Sequence, residues 1–188
     1  MKKVKFIKGI TGSNEVLADA IPQVAFVGRS NAGKSSTINA LMNEIVARVS
    51  KTPGRTKEIN FFLMHGEKYI VDLPGFGYAR TSVTMAEKIR GYILWYLTSP
   101  EVRPNLQHLL LIIDGSVGMT KFDRELIEIA YEEKLPLIVV HNKMDKLNQS
   151  DTIKAQRAFK QEFPRQEYFM VSSRTKRGID ALRTRIGL

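Results

Sequence analysis

Eight consecutive residues, Gly28-Arg29-Ser30-Asn31-Ala32-Gly33-Lys34-Ser35, hold the densest potential chemistry in the 188-residue chain. Their spacing is GxxxxGK[ST]. They lie between an apolar run, Gln23–Val27, and a stretch of helical periodicity, which is the context this motif requires. The glycines let the backbone curl until successive N–H groups face one centre, an arrangement suited to a chain of phosphates. The N-terminus of the following helix adds partial positive charge. Lys34 supplies a mobile cation for β- and γ-phosphates, and the Ser35 hydroxyl is placed to ligate Mg²⁺.

Three further clusters complement that loop. Asp72-Leu73-Pro74-Gly75 ends a second apolar run and breaks it with Pro-Gly. An aspartate there can hold Mg²⁺ through a water, while the Gly75 N–H can meet a γ-phosphate. Asp114-Gly115-Ser116 also ends an apolar run and is a rival for the acidic role. Hairpin context favours Asp72, which comes soon after the Gly/Pro/Thr loop Thr52-Pro53-Gly54-Arg55-Thr56. Thr56 is the candidate for a second protein hydroxyl on the metal, with Thr52 as the alternative.

Asn142-Lys143-Met144-Asp145 follows the run Leu137–His141 and has the form NKxD. Its Asp145 carboxylate can accept from both N1–H and the exocyclic amine of guanine. Adenine offers no such pair and would leave the carboxylate unpaired. Asn142 can bridge loops, and the Lys143 stem can lie along the base. Val171-Ser172-Ser173 ends the next apolar run, where a backbone N–H could meet guanine O6.

The elements that must position these groups are short apolar runs alternating with amphipathic stretches. Strands are expected at Val4–Ile7, Gln23–Val27, Ile59–Met64, Tyr69–Asp72, His108–Asp114, Leu137–His141 and Tyr168–Val171. Helices are expected at Gly33–Met42, Thr84–Thr98, Lys121–Glu133, Asp151–Glu162 and Ile179–Ile186. Nearly all-apolar strands followed by helices predict an α/β fold with a mostly parallel sheet covered on both faces, a three-layer P-loop domain. The pair Ile59–Met64 and Tyr69–Asp72, joined across His65-Gly66-Glu67, predicts an antiparallel hairpin and hence one antiparallel edge strand. The length suits one domain over residues 1–188, with 1–20 as an N-terminal strand and extension and 21–188 as the nucleotide-binding core. Every motif above falls beyond the carboxyl end of a strand, where ligands sit in such sheets.

Composition narrows the class. There is no cysteine, so disulfides and thiolate metal sites are excluded. The basic N-terminus MKKVKFIKGI lacks the apolar stretch and cleavage site of a secretory signal. No apolar run approaches the roughly 20 residues of a membrane span. A cytoplasmic location is expected. The net charge of +10 favours a polyanionic partner. Lys2, Lys3, Lys5 and Lys8 crowd one end of the chain, and Arg174, Lys176, Arg177, Arg183 and Arg185 the other. Both clusters would suit RNA phosphates. The aromatic-rich Tyr92–Leu97 reads as core rather than a stacking platform. His65, His108 and His141 show no metal-ligand spacing and read as structural.

These elements in this order are those of TRAFAC-class GTPases. Gly28–Ser36 (GRSNAGKSS), Ser50–Thr56 (SKTPGRT), Asn60-Phe61-Phe62 and Asp72–Ala79 (DLPGFGYA) together resemble the EngB (YihA/YsxC) family of bacterial GTP-binding proteins, over nearly the whole chain. The resemblance implies a single G domain, Mg²⁺ dependence, a role in assembly of the large ribosomal subunit, and a link to normal cell division and septation. It places nucleotide contacts on Gly28–Ser35, on Gly54, Arg55, Thr56, Lys57 and Glu58, on Asp72–Gly75, on Asn142–Asp145 and on Val171–Ser173. Its Mg²⁺ ligands fall on Ser35 and Thr56. The chain departs from the family at Asn142, where threonine is usual. GTPases with asparagine at the position of Asn31 often bind K⁺ beside the phosphates, which makes Asn31 a candidate activating residue.

Hydrolysis would rest on positioning and charge neutralisation by Lys34, Thr56, Gly75 and Asn31. Phe76 stands just after Gly75, where many switch GTPases carry a water-positioning glutamine, and it has no hydrogen-bonding group. Slow intrinsic turnover is therefore expected, helped by a partner, by K⁺, or by Arg29 or Arg55 as a cationic finger. The leading expectation is a monomeric GTPase switch that docks on the large ribosomal subunit or its precursor. Its rivals are a GTP/GDP-sensing binding module in division with negligible turnover, and the G domain of a tRNA-modifying enzyme.

Overall fold

The computed structural model describes residues 4–47, 58–77 and 82–188. Seven strands form one sheet: β1 (Val4–Ile10), β2 (Gln23–Gly28), β3 (Ile59–Met64), β4 (Lys68–Asp72), β5 (Leu106–Asp114), β6 (Leu137–Asn142) and β7 (Tyr168–Met170), in spatial order β1-β3-β4-β2-β5-β6-β7. Five α-helices accompany them: α1 (Lys34–Met42), α2 (Val83–Thr98), α3 (Lys121–Glu132), α4 (Gln149–Glu162) and α5 (Ile179–Arg185).

The pairings from β4 through β2, β5 and β6 to β7 are parallel, and β3 is antiparallel to both β4 and β1. The sheet is thus mostly parallel with one reversed strand, the α/β architecture expected. That reversed strand lies one place in from the edge. Val4–Ile10 extends three residues beyond the expected strand and pairs with β3 from Val4↔Met64 to Ile10↔Ile59, closing off the hairpin's outer side.

Side-chain alternation along the central strands divides the core into two layers. Ala25, Val27, Leu109, Leu111 and Val139 face α2, α3 and α4 through Ile93, Leu97, Leu126, Ile127 and Phe159. Val24, Phe26, Leu110, Ile112, Ile138 and Val140 face α1 and α5 through Ile38, Leu41, Ile179 and Leu182. The Tyr92–Leu97 stretch is core, as its spacing indicates: Ile93, Tyr96 and Leu97 are buried, and the Tyr96 hydroxyl donates to buried Gln23 at 2.6 Å. Local signals set the helix starts. Thr120 and Asp123 form a capping box at α3, and Asn148 caps α4 through the Asp151 N–H at 2.8 Å.

Candidate functional site

The parallel register brings the motif-bearing strand ends together. Phe26 of β2 pairs with Asp72 at the end of β4, and Asp114 of β5 pairs with Asn142 of β6. The chain leaves β2 at Gly28 and turns through Asn31, at φ 66°, and Gly33, at φ 96°, before entering α1 at Lys34. Gly33 is required twice over. Its backbone is left-handed, and a Cβ there would overlap the Asn142 side-chain amide. The N–H groups of Gly33, Lys34 and Ser35 donate to no described residue, as first-turn amides do, and so remain available to an anion.

Lys34 is buried at the base of this loop and forms an ion pair with the equally buried Asp72. Gly75 packs on the loop, with Ser30 N and Cα only 3.5 Å from where its Cβ would stand. Two backbone bonds continue the association: Ser30 N–H donates to Phe76 O at 2.7 Å, and Phe76 N–H to Gly28 O at 3.4 Å. The donor set fits a Mg²⁺–triphosphate. The Lys34–Asp72 pair and Gly75 lie against the loop whose amides at Gly33, Lys34 and Ser35 stand free of described acceptors, and the Ser35 hydroxyl follows in the first turn of α1.

Asn142 is fully buried and ties two loops together. Its amide nitrogen donates to Ala32 O at 3.0 Å, and its amide oxygen accepts from Ser173 N–H at 3.0 Å. Asp145 accepts from the Ser172 hydroxyl at 2.6 Å and pairs with Arg174 at 3.2 Å. The Ser172 bond, with the nearby Arg174 and Lys146 charges, holds its carboxyl below the usual range and keeps it an acceptor. Met144 N–H donates to Val171 O at 3.1 Å, locking the 142–145 and 171–173 loops side by side.

The N–H groups of Val171, Ser172 and Ser173 are already engaged, by His141 O, Arg177 O and Asn142 Oδ1. The contact expected between one of these N–H groups and guanine O6 thus meets three donors that brace the loop. The first following N–H with no described acceptor is that of Arg174.

Asp114 turns out to serve Lys143. The ammonium of Lys143 bonds the Asn31 carbonyl and the Asp114 carboxylate, the latter at 2.7 Å. Burial pushes the Asp114 carboxyl up, but bonds from Lys143 and Ser116 outweigh it and hold the group below its ordinary value. Its strand-end position was the available signal, and it was equally compatible with a metal role. Lys143 is itself left-handed at φ 64°, which turns its stem back across the loop.

Phe76 is 5% exposed and packs edge-on against Phe122 of α3 with centroids 4.6 Å apart. The side chain at this position therefore points into the core beneath α3. Glu58 is not gathered with the others: its carboxylate lies against Gly9 of edge strand β1. Gly54, Arg55, Thr56 and Lys57, with the alternative Thr52, lie outside the described residues.

Residues 23–143 match the family described as 50S ribosome-binding GTPase, and residues 105–186 match the elongation factor Tu GTP-binding domain. The probable GTP-binding protein EngB of Mycoplasmopsis synoviae (strain 53) is 40% identical over 184 residues, covering 97% of each chain. Its namesake in Francisella philomiragia is 37% identical over 193 residues, covering 99% of this chain and 96% of the other. A crystal structure of a probable GTP-binding protein engB superposes with a TM-score of 0.74 at 26% identity, covering 88% of this chain and 96% of its own. Era, solved with MgGDPNP and nucleotides 1506–1542 of 16S ribosomal RNA, shares the fold at a TM-score of 0.69 and 23% identity over 89% of this chain and 56% of Era. With its phosphate loop, NKxD and strand-end aspartate assembled at the carboxyl ends of the parallel strands, the chain belongs to the EngB family of GTP-binding proteins and is a GTPase.

Proposed function

We propose that this GTPase is a nucleotide-controlled switch that docks on the large ribosomal subunit or its precursor, assists its assembly, and is needed for normal division and septation. The observation that carries the switch reading is the Lys34–Asp72 pair beside Gly75 and Ser30. A γ-phosphate and Mg²⁺ compete for those same two side chains, so the triphosphate state differs from the diphosphate state at the start of the 75–77 segment. Ser35 and Thr56 would hold the metal by their hydroxyls, with Asp72 beside them. The metal would neutralise charge that develops between the β- and γ-phosphates. Arg29, Ser30, Asn31, Ala32 and Lys34 line the phosphate side. Asn142, Lys143, Met144 and Asp145 hold the guanine side.

The docking reading is supported by the net charge of +10 and by the description of the family matched over residues 23–143. It is tested by sedimenting the protein with purified large subunits in GTP analogue or GDP across 50–200 mM salt. Association that is stronger in the analogue and falls steeply with salt is expected. Equal recovery in both nucleotides would refute the switch. Intrinsic hydrolysis is expected to be slow, and K⁺ held near Asn31 to raise it. Equal rates in KCl and NaCl would remove the K⁺ role. No helix among the described residues is long and apolar enough to cross a membrane, and a cytoplasmic monomer is the form proposed.

A further inference from the structure

The nucleotide motifs occupy the carboxyl ends of the parallel strands, and a separate cavity opens at the other end of the same sheet. It holds about 290 Å³ where β5, β6 and β7 begin, among His108, Tyr131, Pro136, Arg165, Gln166 and Arg185. That is the small end of the range for ligand pockets. None of these residues belongs to the phosphate or guanine motifs.

The cavity is basic. Arg165 is exposed, lines it and is paired with no described residue. Arg185 grips Glu167, the carboxylate of the lining, through two bonds of 2.7 and 2.8 Å. That grip uses two of the five N–H donors of the guanidinium. His108 registers the resulting field. Burial lowers its pKa, and the Arg185 and Lys68 charges lower it further, against the pull of Glu167. The imidazole is therefore neutral at pH 7, and cation outweighs anion around it.

Gln166 adds a different demand. It is 8% exposed, and its side-chain nitrogen donates to Leu137 O at 2.8 Å and to Glu167 O at 2.9 Å. Two carbonyl partners fix that atom as the nitrogen, so the other is an acceptor oxygen. This oxygen accepts from no described residue and is not sealed from solvent. An open acceptor beside an unpaired guanidinium suits a ligand that carries both a hydroxyl and an anionic group. The carboxylate of an acidic peptide supplies only the second, and it would be repelled by Glu167 and by the Gln166 oxygen. A ribose with its phosphate supplies both. Tyr131, 48% exposed, and Pro136 offer the sugar an apolar wall.

We infer that this cavity receives one ribose–phosphate unit of an RNA strand, with Arg165 on the phosphate and the Gln166 side-chain oxygen on the ribose 2′-hydroxyl. The inference rests on the ribosomal reading above for the source of the RNA. It adds a contact at the far end of the sheet from GTP, a grip that the bound nucleotide does not alter.

The test uses a fluorescein-labelled single-stranded RNA of about 12 nucleotides, its DNA counterpart and purified large subunits. RNA should bind about fivefold more tightly than DNA, the worth of one hydroxyl bond, and equally in GDP and GTP analogue. Arg165→Ala should weaken RNA binding about three- to tenfold and lower its salt slope by about 1, whereas Arg165→Lys keeps the slope. GDP affinity and the urea midpoint should not move in either variant, which shows that both fold. With the wild-type protein, a strand carrying 4-thiouridine should photocrosslink to the peptides around Tyr131 or Arg165. RNA and DNA binding equally, Arg165→Ala binding as wild type does, or an adduct confined to the N-terminal lysines overturns the inference. Displacement of the strand by AMP at matching nucleotide concentration also overturns it, by assigning the cavity to a free nucleotide. If wild type and Arg165→Ala sediment equally with subunits, the cavity is not the ribosomal contact and the docking reading stands. If wild type fails to sediment while the oligonucleotide results hold, the docking reading falls and the cavity remains an RNA site.

Discussion

Truncating Asn142 to alanine tests whether the phosphate loop and the guanine loop are held as one unit. The amide bridges Ala32 O and Ser173 N–H at 3.0 Å each, from a fully buried position. Each bond contributes about 1 kcal/mol net, and each stranded buried partner costs a further 1–3 kcal/mol unless water reaches it. The Ala32 carbonyl lies in the interior, whereas Ser173 is half-buried, so a loss of roughly 2–4 kcal/mol is expected. In a domain of this size that lowers the thermal midpoint by about 5–15 °C. Because the same bridge sets the spacing of the two loops, GDP affinity should fall about 10- to 100-fold. Urea unfolding without nucleotide and titration with a fluorescent GDP read the two effects separately. Asn142→Thr, the family's usual residue, has a single hydroxyl and should lose about half as much stability. An Asn142→Ala protein with both its unfolding midpoint and its GDP affinity unchanged would refute the bridging role.

Four other outcomes follow from the geometry. Asp145→Asn exchanges an acceptor pair for a donor and an acceptor; it should lose GTP by about 100-fold and gain xanthosine triphosphate, as competition binding would show. Gly33→Ala must strain a left-handed backbone at φ 96° and displace the Asn142 amide; nucleotide affinity and thermal midpoint should both fall, by calorimetry and melting. Phe76→Gln should not speed hydrolysis, because the side chain at that position faces Phe122, and it should cost about 2–4 kcal/mol in urea unfolding; a faster single-turnover rate would show that the residue reaches the phosphates. His141, between Phe159 and Tyr168, has its pKa lowered by burial to about 4 from 6.5. The unfolded chain then binds the proton more readily, so stability is full above about pH 6.5 and drains as pH falls towards 4. Between pH 7 and 5 the loss from this group is about 2 kcal/mol. His141→Leu should flatten that part of the urea-midpoint profile relative to wild type.

The sheet and its helices were legible because buried parallel strands write themselves as unbroken apolar runs, and helix starts carry caps such as Thr120 and Asn148. The edge was less so. Gly9 and Ile10 continue β1 without an apolar run, since what extends that strand is pairing with Asn60 and Ile59 across the sheet. At the candidate site, residue type and spacing single out Lys34, Asp72, Asn142 and Asp145, which stand at or just beyond strand ends that the apolar pattern reveals. Partnerships between distant loops were not legible. Asp114 looked like a metal ligand because both roles need a carboxylate at a strand end. Only the tertiary return of Lys143 to Asn31 and Asp114 distinguishes them. The direction of Phe76 was hidden for the same reason, since an apolar residue after Gly75 reads as a missing catalytic group until Phe122 is seen beneath it.

The two backbone bonds between Gly28–Ser30 and Phe76 lengthen the β2–β4 ladder beyond Asp72. The segment that would sense a γ-phosphate is thus the last rung of a zipper rather than a free loop. Its release is a local fraying event, with a population set by the cost of two hydrogen bonds and of withdrawing one phenyl ring from Phe122. The Ser30 amide should report that population directly through its exchange with deuterium. Any contact that clamps α3 onto Phe76 would slow that exchange and stiffen the phosphate loop in the same motion.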